Sequence, residues 1–307
     1  MTDQIHVDAQ AGTVVEREGA TLPFAVAFAL LVTGAVTMGI SPVFVRYSEV
    51  GPFASAFWRV LLALPVLFVW AYLETRHRGI NWRLPRAILL SGLFFSGDLV
   101  FWHLAIVNTT MANATLMATL APVWVVLFSR AFIGEEVGRN AYYGLAICLA
   151  GAFLLIGSSY RVEPDRIVGD LYGFITSLFF GLYFLAVRVG RRTHRAGEIT
   201  FLSTLVTASV LLVVALISGN SMLPQTLGGV AALVALGTIS HAGGQGLLAV
   251  ALGSLSAAFS SLVIFVEALA AALFGWLIFS EGMTPGQIGG GALILVGVWV
   301  ARPRAGK

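Results

Sequence analysis

Charge is scarce in this sequence. Of 307 residues, 11% are charged and 58% are hydrophobic, whereas a soluble chain carries about 25% charge. A water-soluble fold cannot hide that much apolar side chain, so lipid must be the solvent. Cysteine is nearly absent as well. The one thiol, Cys148, sits in an apolar run, which excludes a disulfide framework and a Cys/His metal site. No metal and no other cofactor is expected. His-Glu-x-x-His, Gly-x-Ser-x-Gly and a phosphate-binding loop are missing too. No catalytic residue can therefore be nominated, and an intramembrane enzyme is disfavoured. No loop is long enough for a nucleotide-hydrolysing domain, and neither a filter loop nor rings of pore charge are visible. A nucleic-acid partner is not expected. Residues 1–21 lack the basic, apolar, small-residue order of a secretory signal. They read as a disordered cytoplasmic tail.

What the sequence has is long apolar runs. They can be drawn at 22–46, 53–74, 84–107, 111–133, 141–159, 168–190, 198–219, 227–251, 256–280 and 285–302. Each approaches the roughly 20 residues that a spanning helix needs. Strict alternation, the mark of a barrel strand, is absent from them. The predicted fold class is an all-α integral membrane protein of ten transmembrane helices. Lys and Arg favour the cytoplasmic side. With the N-terminus inside, 13 of the 18 basic residues fall inside and 3 outside. Both termini are then cytoplasmic, as an even number of spans requires.

The chain also aligns with itself at an offset of 146. Ala112, Leu116, Phe128, Glu135, Gly144, Ala146 and Gly151 fall on Ala258, Leu262, Phe274, Glu281, Gly290, Ala292 and Gly297. Gly51 falls on Gly197 and Gly97 on Gly243. The first span matches at 142, with Gly39, Val45 and Arg46 on Gly181, Val187 and Arg188. Residues 22–160 form a first repeat and 161–307 a second. Five spans per repeat is an odd number, so the second copy must enter the bilayer from the other side. Two inverted five-helix repeats around a central cavity are a transporter architecture.

The Ala-Pro at 121–122, the Phe-Ile-Gly-Glu-Glu at 132–136 and the glycine-spaced helix that follows resemble the EamA-type domain of the drug/metabolite transporter superfamily. Phe57, Trp58 and Arg59 resemble that family's aromatic-arginine start of the second span. Ala268 stands where the family usually has a proline. Within the superfamily, the chain is most similar to ten-span exporters of amino acids, the YddG type. The resemblance implies alternating access. It also implies that the fifth and tenth spans lie at the periphery, with the cavity drawn from spans 1, 3, 4, 6, 8 and 9.

Charge inside a span costs at least ~2.5–3.5 kcal/mol on insertion scales, so each such residue is a candidate for function. Glu267 lies near the midplane of the ninth span, with Ser260 on the same face. It can hold a substrate ammonium or a coupling proton, or be a hydrogen-bonded structural acid. Asp98 shares a helix face with Trp102 at i+4, a pair suited to an amine-bearing or flat substrate. The alternative is a helix-packing hydrogen bond. His103 points elsewhere and reads as interfacial. His241 and Gln245 share a face of the eighth span among glycines, either as site residues or as a packed polar pair. Tyr183, Asn113 and Trp124 are further candidates for the cavity wall. Arg59 reads as structural, paired with Glu49 or reaching the interface.

The expected function is a multi-pass transporter in a bacterial-type cytoplasmic membrane, exporting amino acids or similar small zwitterionic metabolites. Its partners are a small-molecule substrate, the lipid bilayer and, as a candidate coupling ion, the proton. The expected state is a monomer or weak homodimer. A proton-coupled multidrug or cation pump is the alternative. Against it, small relatives in the superfamily place a key acid in the first span, and residues 22–46 hold no Asp or Glu. A membrane sensor, binding ligand without flux, is the alternative of another class.

Overall fold

A computed structural model describes residues 22–157, 164–219, 221–280 and 282–303. The expected tail 1–21 and Glu281 lie outside the described residues. Ten helical spans follow in order: α1 (Phe24–Tyr47), α2 (Pro52–Thr75), α3 (Arg86–Asn108), α4 (Asn113–Ile133), α5 (Arg139–Ile156), α6 (Pro164–Gly190), α7 (Ala196–Ile217), α8 (Leu227–Ala251), α9 (Ala257–Phe279) and α10 (Pro285–Ala301). Among the described residues, nine are long and apolar enough to cross a bilayer, and α10 is a shorter apolar helix. Large apolar side chains such as Ile217, Trp299 and Phe132 stand exposed on the outside of the bundle, where lipid tails can cover them. Helix starts are chemically marked. Thr226 caps α8, Ser256 caps α9, and Thr284 with Gln287 forms a capping box at α10, which satisfies amides that the helix itself leaves open.

The two halves are related by a pseudo-two-fold axis. α5 packs along α10 and α2 along α7, each span against its own counterpart. α3 packs on α6 as α8 packs on α1. The axis passes beside Cys148, whose thiol lies 3.6 Å from the carbonyl of Ile294, 146 residues away. Around it, small residues let backbones touch. A Cβ at Gly144 would sit 2.6 Å from the Gly297 carbonyl, and one at Gly290 2.6 Å from the Gly151 carbonyl.

In α2 and α7 the expected register is corrected. Their N-caps are Gly51 and Arg195, 144 residues apart. Gly237 abuts the Arg59 carbonyl and Leu62, as Gly92 abuts the Ser203 carbonyl and Val206. The structural counterpart of Arg59 is therefore Ser203, and Gly51 does not match Gly197. A two-residue slip is nearly silent in linear sequence where both runs are apolar on every side, whereas the buried faces, Val60, Ala63 and Leu67 against Thr204, Thr207 and Leu211, define it.

One end of the bundle is rich in arginine and tied shut. Glu135, after α4, accepts from Arg188 Nε at 2.5 Å and, through its other oxygen, from the Ala257 amide at 2.9 Å. It thereby joins α6 to the start of α9. Arg188 also reaches the Leu252 carbonyl, Arg191 the Ala249 carbonyl and Arg192 the Ile133 carbonyl. Arg78 and Glu198 pair across the start of α7 at 2.6 Å. At the opposite end, Glu49 accepts from the Gln225 and Thr226 amides and the Thr226 hydroxyl. The expected Glu49–Arg59 pair is not formed.

Candidate functional site

Three spans are interrupted on the inside of the bundle. α1 breaks at Ile40 before Ser41-Pro42, α4 at Thr119–Leu120 before Ala121-Pro122, and α9 at Ile264. In α8, residues Leu236–Gln245 wind as a π-helix. Such interruptions survive at membrane depth where they line a cavity or pack on protein. Here they border a cavity of about 680 Å³. It runs from Met38, Phe95 and Gln245 at mid-helix to Arg46, Thr115 and Phe279 at helix ends. These ends lie opposite the arginine-rich face, so the cavity opens away from the Glu135 tie.

The wall comes from α1, α3, α4, α6, α8 and α9, and from α2 through Arg59. None of the described lining residues belongs to α5 or α10. Most of the wall is apolar, and its charges stand out. Asp98 on α3, Glu267 on α9 and Arg59 on α2 all face the cavity and lie within electrostatic reach of one another. None of the three side chains makes a hydrogen bond or ion pair with a described residue, and Arg59 Nε is shut off from solvent without a partner. A structural acid would be expected to find a hydroxyl or carbonyl; these two carboxylates point into open space. Trp102 lines the cavity one turn from Asp98, its ring edge-on to His103 with centroids 5.0 Å apart. Gln245 closes the floor. Its Oε1 accepts from Tyr183 Oη at 3.0 Å, and its Nε2 lies 3.1 Å from Met38 Sδ.

Four candidates lie off the wall. Tyr183 is buried behind Gln245, bonding the amide and packing tilted against Phe95 with centroids 4.8 Å apart. His241 faces α7, with Nε2 3.0 Å from Thr204 Oγ1 and its ring on Phe95. His241 thus packs towards α7 while Gln245, four residues on, lines the cavity. Asn113 joins the starts of α4 and α6, donating to Asp170 at 3.0 Å and accepting from Thr110. Trp124 donates to Ser177 Oγ at 2.9 Å and packs its ring on Phe174. His103 is 2% exposed rather than interfacial, its Nδ1 donating to the Leu99 carbonyl at 2.6 Å. Conversely, Arg59 was not anticipated in the site. The available signal is its depth, seven residues beyond the start of α2, in a span that holds no acid before Glu74. No group of His, Cys, Asp and Glu able to hold a metal occurs among the described residues.

The EamA-like transporter family model matches twice in succession, over residues 25–157 and 167–302. The chain belongs to this family. It is a multi-pass membrane transporter of the EamA-like family, and not an enzyme. It is 29% identical over 213 residues to the pseudopaline exporter CntI of Pseudomonas aeruginosa, spanning 68% of this chain and 72% of that protein. An uncharacterized transporter of Archaeoglobus fulgidus is 27% identical over 89% of this chain and 95% of its own. One crystal structure superimposes with a TM-score of 0.78 at 19% identity, covering 91% of this chain and 98% of that one. It shares the fold.

Proposed function

We propose that this transporter exports amino acids or similar small zwitterionic metabolites by alternating access. The observation that carries this reading is the set of unpaired opposite charges, Asp98 and Glu267 against Arg59, on one apolar wall. A zwitterion satisfies both signs at once, and Trp102 offers a face for an attached apolar group. A volume near 680 Å³ lies within the range of small-molecule pockets, about 300–1,000 Å³. Placing the arginine-rich end in the cytoplasm follows the positive-inside bias and makes the described conformation outward-open. Export, rather than uptake, is suggested by CntI, which is named for exporting pseudopaline. A bacterial-type cytoplasmic membrane with both termini inside completes the reading. Amino acid cargo of the YddG type remains part of it, although the relatives found are a pseudopaline exporter and uncharacterized transporters.

A second reading has support of its own. Two carboxylates lie near one deep guanidinium, the other lining arginine, Arg46, standing at the helix ends over the Phe279 ring, so at depth an acid is left over to carry a proton or attract a cation. That favours proton coupling and, with bulky apolar amines as cargo, a multidrug pump. Purified protein in proteoliposomes, loaded with a panel of radiolabelled amino acids and cationic dyes, separates the two. Glu267→Gln and Asp98→Asn each remove a charge-assisted contact, worth about 1.5–3 kcal/mol, and should cut flux roughly 10- to 100-fold without loss of folded protein. Normal flux in both variants would remove them from the site. A pH jump across the vesicle membrane, with or without an effect on flux, decides coupling.

A further inference from the structure

We infer that Arg59 is the anchor for a carboxylate on the cargo, and so sets which class of amine-bearing compound is accepted. This rests on the zwitterion reading above and sharpens it: the cargo must carry an acid group as well as an amine.

Three observations converge on this arginine. The first is its isolation. Arg78, Arg188, Arg191 and Arg192 each donate to a carboxylate or a backbone carbonyl. Arg59 donates to no described residue, and its Nε is sealed from water. A guanidinium has five donors in a rigid fork and cannot shed its charge. Left alone inside a spanning bundle, it is the most expensive side chain in the cavity. The second is its setting. Asp98 and Glu267 face it from α3 and α9, close enough to act on it electrostatically yet without forming an ion pair. The space between these three groups is the cavity itself. A ligand bearing both signs fits there with each charge opposite its complement. The third is symmetry. Ser203, the counterpart of Arg59 in α7, donates to the Thr200 carbonyl of its own helix and is buried. The fold builds this helix position with a small hydroxyl in one copy, so the guanidinium is not needed for the helix crossing. It is present in the copy that faces the cargo.

A planar fork prefers a planar, bidentate acceptor, which a carboxylate supplies and an amide does not. The test uses three probes that share one ring: phenylalanine (both charges), phenylalaninamide (amine alone) and 3-phenylpropionate (acid alone). Counterflow of each is followed in proteoliposomes holding the full chain, as wild type, Arg59→Gln and Arg59→Lys. Wild type should prefer phenylalanine over its amide by roughly tenfold or more. Arg59→Gln should lose that preference by reducing phenylalanine flux while amide flux holds. Arg59→Lys, with the charge but not the fork, should fall between them, and it serves as the test variant if the glutamine protein fails to fold.

The assignment is overturned if wild type takes the amide as readily as the amino acid. It is equally overturned if the variants keep the preference, or if both probes fall together. A wild type that carries only the amide sinks the zwitterion reading as well and favours the cation pump. A wild type that carries phenylalanine, with variants whose preference is unchanged, sinks the role of Arg59 alone.

Discussion

At the scale of single residues, the cavity shows how one helix turn can present two kinds of chemistry. Asp98 and Trp102 are one turn apart on α3 and both line the wall, so a charge and a ring are offered to the same ligand. Trp102→Ala should weaken aromatic cargo more than aliphatic cargo, by roughly 2- to 10-fold, the equivalent of ~0.5–1.5 kcal/mol of aromatic pairing. Competition of a leucine–phenylalanine series against a labelled substrate reads this directly; equal losses across the series would mean that the ring only packs. Glu49, outside the spans, makes a different case. The Thr226 hydroxyl, then the Thr226 and Gln225 amides, hold its carboxyl below the ordinary value of 4.5. A lowered value in the folded state means the anion stabilises the fold. That stabilisation is complete above 4.5 and fades as pH falls through the lowered value. Glu49→Gln should therefore unfold at a lower temperature than wild type at neutral pH, with the gap closing in acid. A gap that stays constant with pH would assign the effect to packing instead.

Sequence alone went far at this scale for residues whose depth matters and failed where azimuth matters. Asp98, Trp102, Gln245 and Glu267 were nominated by depth and spacing, and the structure brings them to one wall. His241 and Trp124 satisfy the same depth criterion but pack into helix contacts, His241 against Thr204 of α7 and Trp124 against Ser177 at a tight α4–α6 crossing. For Arg59 only the expected pairing fails. The acid expected as its partner, Glu49, binds the Gln225 and Thr226 amides at the start of α8 instead.

At the scale of elements, the tie at Glu135 joins pieces that must separate if the cavity is to open at the arginine-rich end. One carboxylate holds Arg188 of α6 and the first amide of α9. Each contact is partly exposed and is worth about 1 kcal/mol or less for the ion pair. That is small enough to break in a working cycle and large enough to bias it. Glu135→Gln should raise the population open at that end. Ser260, on the first turn of α9 and fully buried, is a reporter position between the tie and the cavity. In a Cys148→Ser background, Ser260→Cys should resist a membrane-impermeant maleimide applied from the arginine-rich face and react several-fold faster once Glu135 is replaced. Unchanged labelling would make the tie a static brace. The element boundaries themselves were legible because hydrocarbon thickness sets them. The breaks at Ile40, Thr119 and Ile264 were only partly so. Prolines mark the first two, while in α9 Ala268 stands where the family has a proline, and there the break depends on packing.

At the scale of the whole molecule, the glycine register across α5 and α10 made the repeat readable, because close backbone contact in lipid tolerates few substitutes for glycine. Counting ten crossings in order gives the relative side of each loop. His77 follows the second span and Thr193 the sixth, so four crossings separate them and they share a face. Leu223 follows the seventh span, an odd number of crossings from both, and must lie on the other side, as must Asn108 at the end of the third. All four are exposed or partly exposed loop-side positions, and Cys148 is the one native thiol to remove. Single cysteines at 77 and 193 should be shielded from an impermeant maleimide in intact cells and labelled after lysis. Cysteines at 108 and 223 should be labelled in both conditions. If 77 and 193 react from different sides, the second half does not enter the membrane in the opposite sense to the first. Two halves that thread alike cannot exchange shapes across an in-plane axis. The cavity around Arg59, Asp98 and Glu267 would then have no symmetry-related route to the other face.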